Sequence, residues 1–152
     1  MVYLTRRYYF SAAHRLHTEA LSPEENRRVY GKCNNPHGHG HNYVLDVTVA
    51  GRVDPATGMV CDLGFLDRLV RREILDRFDE THLNLDTESF RDRVPTSENL
   101  CMEIHRLLQP HLDGAGPGAE VRLERIGLQE TTSNSIEYFG GRENNGPLRK
   151  VK

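Results

Sequence analysis

Between Cys33 and Tyr43 the chain reads Cys-Asn-Asn-Pro-His-Gly-His-Gly-His-Asn-Tyr, one thiol followed by three imidazoles on alternate residues. In an extended chain, side chains two residues apart point the same way. Two of His37, His39 and His41 can therefore face one metal ion from the end of a strand. Gly38 and Gly40 put no side chain in the way of a ligand. Neutral imidazole suits Zn²⁺, and a catalytic zinc takes three protein ligands and keeps a fourth position open. The stretch supplies two ligands, so the third comes from elsewhere. His14, just past a strand and behind the small residues Ser11, Ala12 and Ala13, is the candidate. Taken alone it reads as a hydrogen-bonded structural histidine. A thiol beside bound zinc and next to Lys32 is expected to lose its proton more readily, which makes Cys33 a candidate base.

The elements that must position these groups follow from the periodicity. Residues 2–11 are aromatic and β-branched and read as a strand. Ser22-Pro23-Glu24-Glu25 opens a short helix with a capping box, and Gly31 closes it. The long insertion around it leads into the cysteine and histidine cluster, and long ordered loops are usually functional. From Tyr43 to Val53, Tyr43, Leu45, Val47 and Val49 alternate with polar residues, as in a half-buried strand. Asp54 to Gly58 is a turn. Asp62 caps a helix reaching Phe78, with Leu66, Leu69, Val70, Ile74 and Phe78 on one face. Residues 79–86 read as a polar loop. Thr96 or Ser97 caps a second helix through Leu100, Ile104, Leu107 and Leu108. Residues 113–120 are a Gly/Pro linker, residues 121–128 and 135–139 are strands, and the tail 141–152 is expected to be disordered. The order is β-β-α-α-β-β, an α+β fold with an antiparallel sheet and helices on one face. Four strands leave two open edges, which invites pairing with other subunits.

At 152 residues, the chain is expected to be a single domain spanning residues 1–140. A net charge of −2 offers no basic field for nucleic acid. No apolar run is long enough for a membrane span, and no secretory leader is evident. Three widely spaced cysteines make no disulfide framework, and Cys61 and Cys101 read as core residues. A cytoplasmic location is the expectation.

Five motifs in order carry a resemblance to a known family. They are Phe10-Ser11-Ala12-Ala13-His14, the Cys33 to Tyr43 stretch, Asp54 to Met59, Thr96-Ser97-Glu98-Asn99, and Glu130-Thr131. Together the chain resembles the 6-pyruvoyl tetrahydropterin synthase family over roughly residues 2–140. The bacterial 6-carboxytetrahydropterin synthases of queuosine biosynthesis are similar in fold and substrate. The resemblance implies the tunnelling fold, in which trimers close a barrel and two trimers stack as a homohexamer, with active sites between subunits. It implies 7,8-dihydroneopterin triphosphate as substrate, triphosphate elimination, and Zn²⁺ as cofactor. It implies His14, His39 and His41 as the ligands, because Asn42-Tyr43 after His41 matches the family's register and His37 falls outside it. It implies Cys33 as the catalytic thiol and Glu130 as the pterin anchor, where the sequence alone would show a solvated strand-end charge. It places Thr96 and Ser97 near the pterin, with helix capping as an equally good reading. The spacing from Cys33 to the first ligand favours the pyruvoyl relative, although product choice does not follow from spacing. Arg27, Arg28 and Lys32 share the loop and are candidates for the triphosphate, with nothing to fix their direction.

One position departs from the pattern. The family carries an Asp-His pair where this chain has Asp79-Glu80. Imidazole suits acid/base work near neutral pH, whereas a glutamate titrates near ~4.3 unless its surroundings raise it. Three readings stay open. Glu80 does the proton work, or His82 or His37 substitutes, or the relay is broken and the chain binds pterin or metal with weak catalysis or makes a different product.

Overall fold

The computed structural model describes residues 1–114 and 121–141. Most of the expected 113–120 linker and all but the first residue of the expected 141–152 tail lie outside them. One mixed sheet has the strand order β3-β1-β2-β4-β5. Its strands are β1 Val2–His14, β2 His39–Gly51, β3 Thr81–His82, β4 Arg122–Gln129 and β5 Ser135–Tyr138. The helices are α1 Pro23–Tyr30, α2 Leu63–Val70, α3 Asp76–Phe78, α4 Leu83–Asp86 and α5 Ser97–Leu112. A π-helical stretch, Arg71–Leu75, joins α2 to α3. The expected single helix after Asp62 is thus continuous but carries a wider turn in its middle.

Two expected boundaries move. His14 is the last residue of β1 rather than a residue beyond it, and β2 starts at His39, four residues before Tyr43. Histidine and glycine carry little strand propensity. Here the antiparallel ladder with β1 overrides it and runs without a break from Val2↔Gly51 to His14↔His39. The polar loop expected at residues 79–86 contributes a fifth strand. In it, Thr81 and His82 pair in parallel with Ala12 and Ala13. Asn84 continues that edge. Its side-chain amide accepts from the Arg15 N–H and donates to the Arg15 carbonyl, at 2.8 and 2.9 Å.

The core lies between one sheet face and the helices. Tyr43, Leu45, Val47 and Val49 of β2 are fully buried, as their alternation predicts, and pack with Leu66, Ile74, Phe78, Leu100, Ile104 and Leu108. Each such side chain contributes roughly 1.5–3 kcal/mol. The capping box at Ser22 forms, and Thr96 rather than Ser97 caps α5. The long loop after His14 is ordered by buried amides. Asn26 donates to the carbonyls of Thr18, Leu21 and Ser22, and Asn34 donates to that of Leu16. Among the described residues no helix is long and apolar enough to cross a membrane.

Candidate metal centre and active site

The β1–β2 ladder places the three histidines. His14 stands directly opposite His39, and His41 stands opposite Ala12, whose methyl group leaves the space between them open. Because 39 and 41 differ by two, both imidazoles rise from the same sheet face as His14. The rings meet edge to face with centroids 4.6–4.9 Å apart. One nitrogen of each lies within 4.8 Å of the others, and among the described residues this trio is the metal-ligating cluster.

The trio fits a zinc ion. His14 is fully buried, and its Nδ1–H donates to the Pro95 carbonyl at 2.8 Å. That bond fixes the tautomer and leaves Nε2 as a lone pair aimed at the cluster. His14 Nε2 and His39 Nε2 are 3.0 Å apart. Two ligands at ordinary Zn–N distances in tetrahedral geometry stand about 3.3 Å apart. His41 Nε2 is buried and has no hydrogen-bond partner. Burial, with His39 and His41 as neighbours, pushes the His14 imidazole down to about 4, and His39 is lowered for the same reasons. Neutral imidazole is the form that ligates.

Glu130 follows β4 and turns its carboxylate to this cluster. Oε1 lies 3.7 Å from His14 Nε2 and 3.6 Å from His41 Nε2. Among the described residues, those imidazoles are the only groups paired with the carboxylate. Cys33 sits in a 3₁₀ turn, Gly31–Asn34, whose backbone is tied to β1's exit by Leu16 N–H donating to the Cys33 carbonyl at 2.8 Å. The thiol does not behave as expected from its neighbours. Burial first and Glu130 second push it up, while Lys32 has no lowering effect. A cation held by the histidines would act in the opposite direction.

Thr96 and Ser97 part company. Thr96 spends its hydroxyl on the Asn99 N–H as the α5 cap. Ser97 and Tyr43 are both buried and their hydroxyls face each other, with Glu130 and Cys33 also acting on the Tyr43 phenol. Neither the Pro95 carbonyl nor the Tyr43 hydroxyl was singled out from sequence. A backbone acceptor leaves no residue-type signal, and Tyr43 read as one more core position.

Asp79 and Glu80 are placed elsewhere. Asp79 Oδ1 accepts from the Ser11 N–H at 2.9 Å, and the Glu80 N–H donates to the Ser11 carbonyl at 2.7 Å. Glu80 holds a left-handed backbone, φ 57°, uncommon for a residue with a Cβ. It lines a 450 Å³ cavity with Ser11, His41, Asn42 and His82. Ser11 and Asn42 pair across the sheet face opposite His14 and His41, and their side chains hydrogen bond at 2.7 Å. Among the described residues no hydrogen bond or ion pair joins Glu80 to the histidine trio; the backbone of Ser11 holds it at the outer edge of β1. His82 and His37 do not join the trio either, but line an 800 Å³ cavity with Arg15 and Arg91.

The comparisons bear on what this arrangement is. The profile of the 6-pyruvoyl tetrahydropterin synthase family matches residues 3–141. A 6-pyruvoyl tetrahydrobiopterin synthase of Poecilia reticulata is 45% identical over 138 residues, covering 91% of this chain and 90% of the relative. The Homo sapiens enzyme of that name is 42% identical over 137 residues, covering 90% of each. The solved structure of Caenorhabditis elegans 6-pyruvoyl tetrahydropterin synthase superposes with a TM-score of 0.83 at 42% identity, covering 91% of this chain and 95% of that one. The chain belongs to the 6-pyruvoyl tetrahydropterin synthase family.

Proposed function

We propose that this protein converts 7,8-dihydroneopterin triphosphate to 6-pyruvoyl tetrahydropterin with elimination of triphosphate, as a cytoplasmic homohexamer. The observation that carries the reading is the convergence of His14, His39 and His41 beside Glu130, in a chain of this family. The three histidines would hold zinc, which supplies Lewis-acid polarisation of the substrate's side-chain hydroxyls and makes the neighbouring C–H bonds more acidic.

The chain's own residues do the rest. Glu130 offers two carboxylate oxygens to the parallel N–H groups of the pterin's 2-amino and N3 positions, the geometry carboxylates use for guanidinium. The Ser97 hydroxyl, which faces that of Tyr43, would hydrogen bond to bound pterin, whereas Thr96 is held by its capping bond. Cys33 takes a proton from the substrate side chain and holds it during redistribution of electrons into the ring. Asp79 and Glu80 serve as the second acid/base pair, with Glu80 in the place of the family's histidine. They are tied to the Ser11 backbone at the outer edge of β1, from which they would reach the centre of another subunit.

The test is direct. Zinc-loaded protein is incubated with dihydroneopterin triphosphate, and triphosphate, acetaldehyde and pterin products are assayed. Triphosphate release with the pyruvoyl product is expected. Acetaldehyde would instead mark the 6-carboxy product. Release no greater than that of Cys33→Ala would sink the synthase reading and leave a pterin- or metal-binding protein.

A further inference from the structure

Arg15, Arg27 and Lys32 converge on one cavity of 360 Å³. Its other walls are Gly31, Pro36 and the amides Asn34 and Asn35, so three cations line it and no carboxylate does. Such a cluster repels itself and raises a local positive potential that concentrates anions. Arg27, on the last turn of α1, and Lys32, in the turn after it, make no ion pair among the described residues. Arg15 is held in place instead. Its backbone is clamped on both sides by Asn84, and its Nε donates to the Asn34 carbonyl at 3.1 Å, leaving the outer guanidinium nitrogens available.

The cavity borders the candidate site through the chain itself. Arg15 follows the ligand His14, Lys32 precedes Cys33, and the Leu16–Cys33 backbone bond ties the two segments together. The larger 800 Å³ cavity also holds arginines, but with Glu19 and Asp92 among its walls, and its Arg93 is engaged by Glu103. A polyanion is better matched by the smaller one. Arg28, adjacent in sequence to Arg27, does not line it.

We infer that this cavity is the polyphosphate subsite: Arg27 and Lys32, with the pre-oriented Arg15, hold the substrate's triphosphate and then the inorganic triphosphate that leaves. The inference rests on the synthase reading for its ligand, while its test does not require turnover. Inorganic tripolyphosphate is titrated calorimetrically into the zinc-loaded protein, the Arg27→Gln/Lys32→Gln double variant, Arg28→Gln and Arg91→Gln. Thermal melts confirm that each folds. Charge-assisted phosphate contacts of this kind are each worth about tenfold in affinity. The double variant is expected to bind tripolyphosphate about 100-fold more weakly and to show a raised KM, with Arg28→Gln and Arg91→Gln unchanged. Binding by the wild type together with no Cys33-dependent release would keep the subsite and remove the synthase. The subsite is overturned if the wild type does not bind tripolyphosphate, if the double variant binds it as the wild type does, or if Arg91→Gln is the variant that loses it.

Discussion

His14 donates its Nδ1 proton to a backbone carbonyl, so its remaining nitrogen has one role left, to accept an electrophile. Removing that ligand leaves two histidines on one strand. His14→Ala is expected to lose more zinc affinity than the about 10–100-fold typical of a lost outer-sphere partner. Metal analysis after dialysis checks it, and an unchanged zinc content would overturn the assignment. Alternation in a strand turns spacing into direction, so a facing pair among His37, His39 and His41 was legible in the sequence, whereas the register of the pair and the assignment of His14 as third member came from the family resemblance. The tautomer lock of His14 was not legible, since Pro95 contributes only a carbonyl. Cys33 was legible as a residue but not in its electrostatics, because the nearby carboxylate of Glu130 arrives from the far end of the chain and opposes ionisation. Glu80 is the position where residue type and role disagree. If it is the acid, Glu80→Gln lowers kcat by about 10²–10⁴ and removes one limb of the pH profile. A variant with an unaltered rate and profile would take the role from Glu80.

Gly38 connects the loop to β2 at φ 73°, and a Cβ there would stand 2.8 Å from both the His14 carbonyl oxygen and His82 Nε2. Gly38→Ala therefore strains the turn and pushes apart the two strand ends that carry ligands. A loss of about 1–3 kcal/mol in denaturant unfolding, together with weaker zinc binding, is expected. A second element-level feature is Glu103 on α5, almost fully buried and bonded to Arg106, Ser89 and Arg93. The Arg106 hydrogen bond, more than its other partners, holds the Glu103 carboxyl down at about 2, below its ordinary 4.5. Between those values the unfolded chain binds more protons than the folded one, so stability rises with pH across the window. The contribution is complete above pH 4.5 and is lost as pH falls towards 2. With both arginines partly in solvent, Glu103→Gln is expected to cost on the order of 2 kcal/mol at pH 7 and about 40% of that at pH 3, read from urea midpoints at each pH. The caps of α1, α2 and α5 and the apolar faces of α2 and α5 were readable because they depend on local spacing. β3 and the early start of β2 were not, because both exist only through pairing with β1.

At the scale of the whole molecule, β1 matters as an edge. Apart from Ala12 and Ala13, which pair with β3, its outer side carries no strand among the described residues, and β5 closes the other end of the sheet with four residues. Tyr3 and Tyr9 stand more than half exposed on the sheet face turned away from the core. Open edges of this kind suit closure into a ring of like subunits. Asp79 and Glu80 are held at the outer edge of β1 by the Ser11 backbone, so closure would present them to a neighbouring subunit. In the proposed hexamer a site using Cys33 of one chain would take Asp79 from its neighbour. Cys33→Ala and Asp79→Asn, each inactive alone, are therefore expected to regain activity when unfolded together and reassembled. With random mixing of equal amounts, about a quarter of the sites would draw an intact Cys33 from one chain and an intact Asp79 from its neighbour. If both residues served a site within one chain, every site in the mixture would lack one of them and the mixture would stay as inactive as its parents. Measuring triphosphate release against mixing ratio separates the two cases, because shared sites give a maximum at equal proportions and self-contained sites give a flat line.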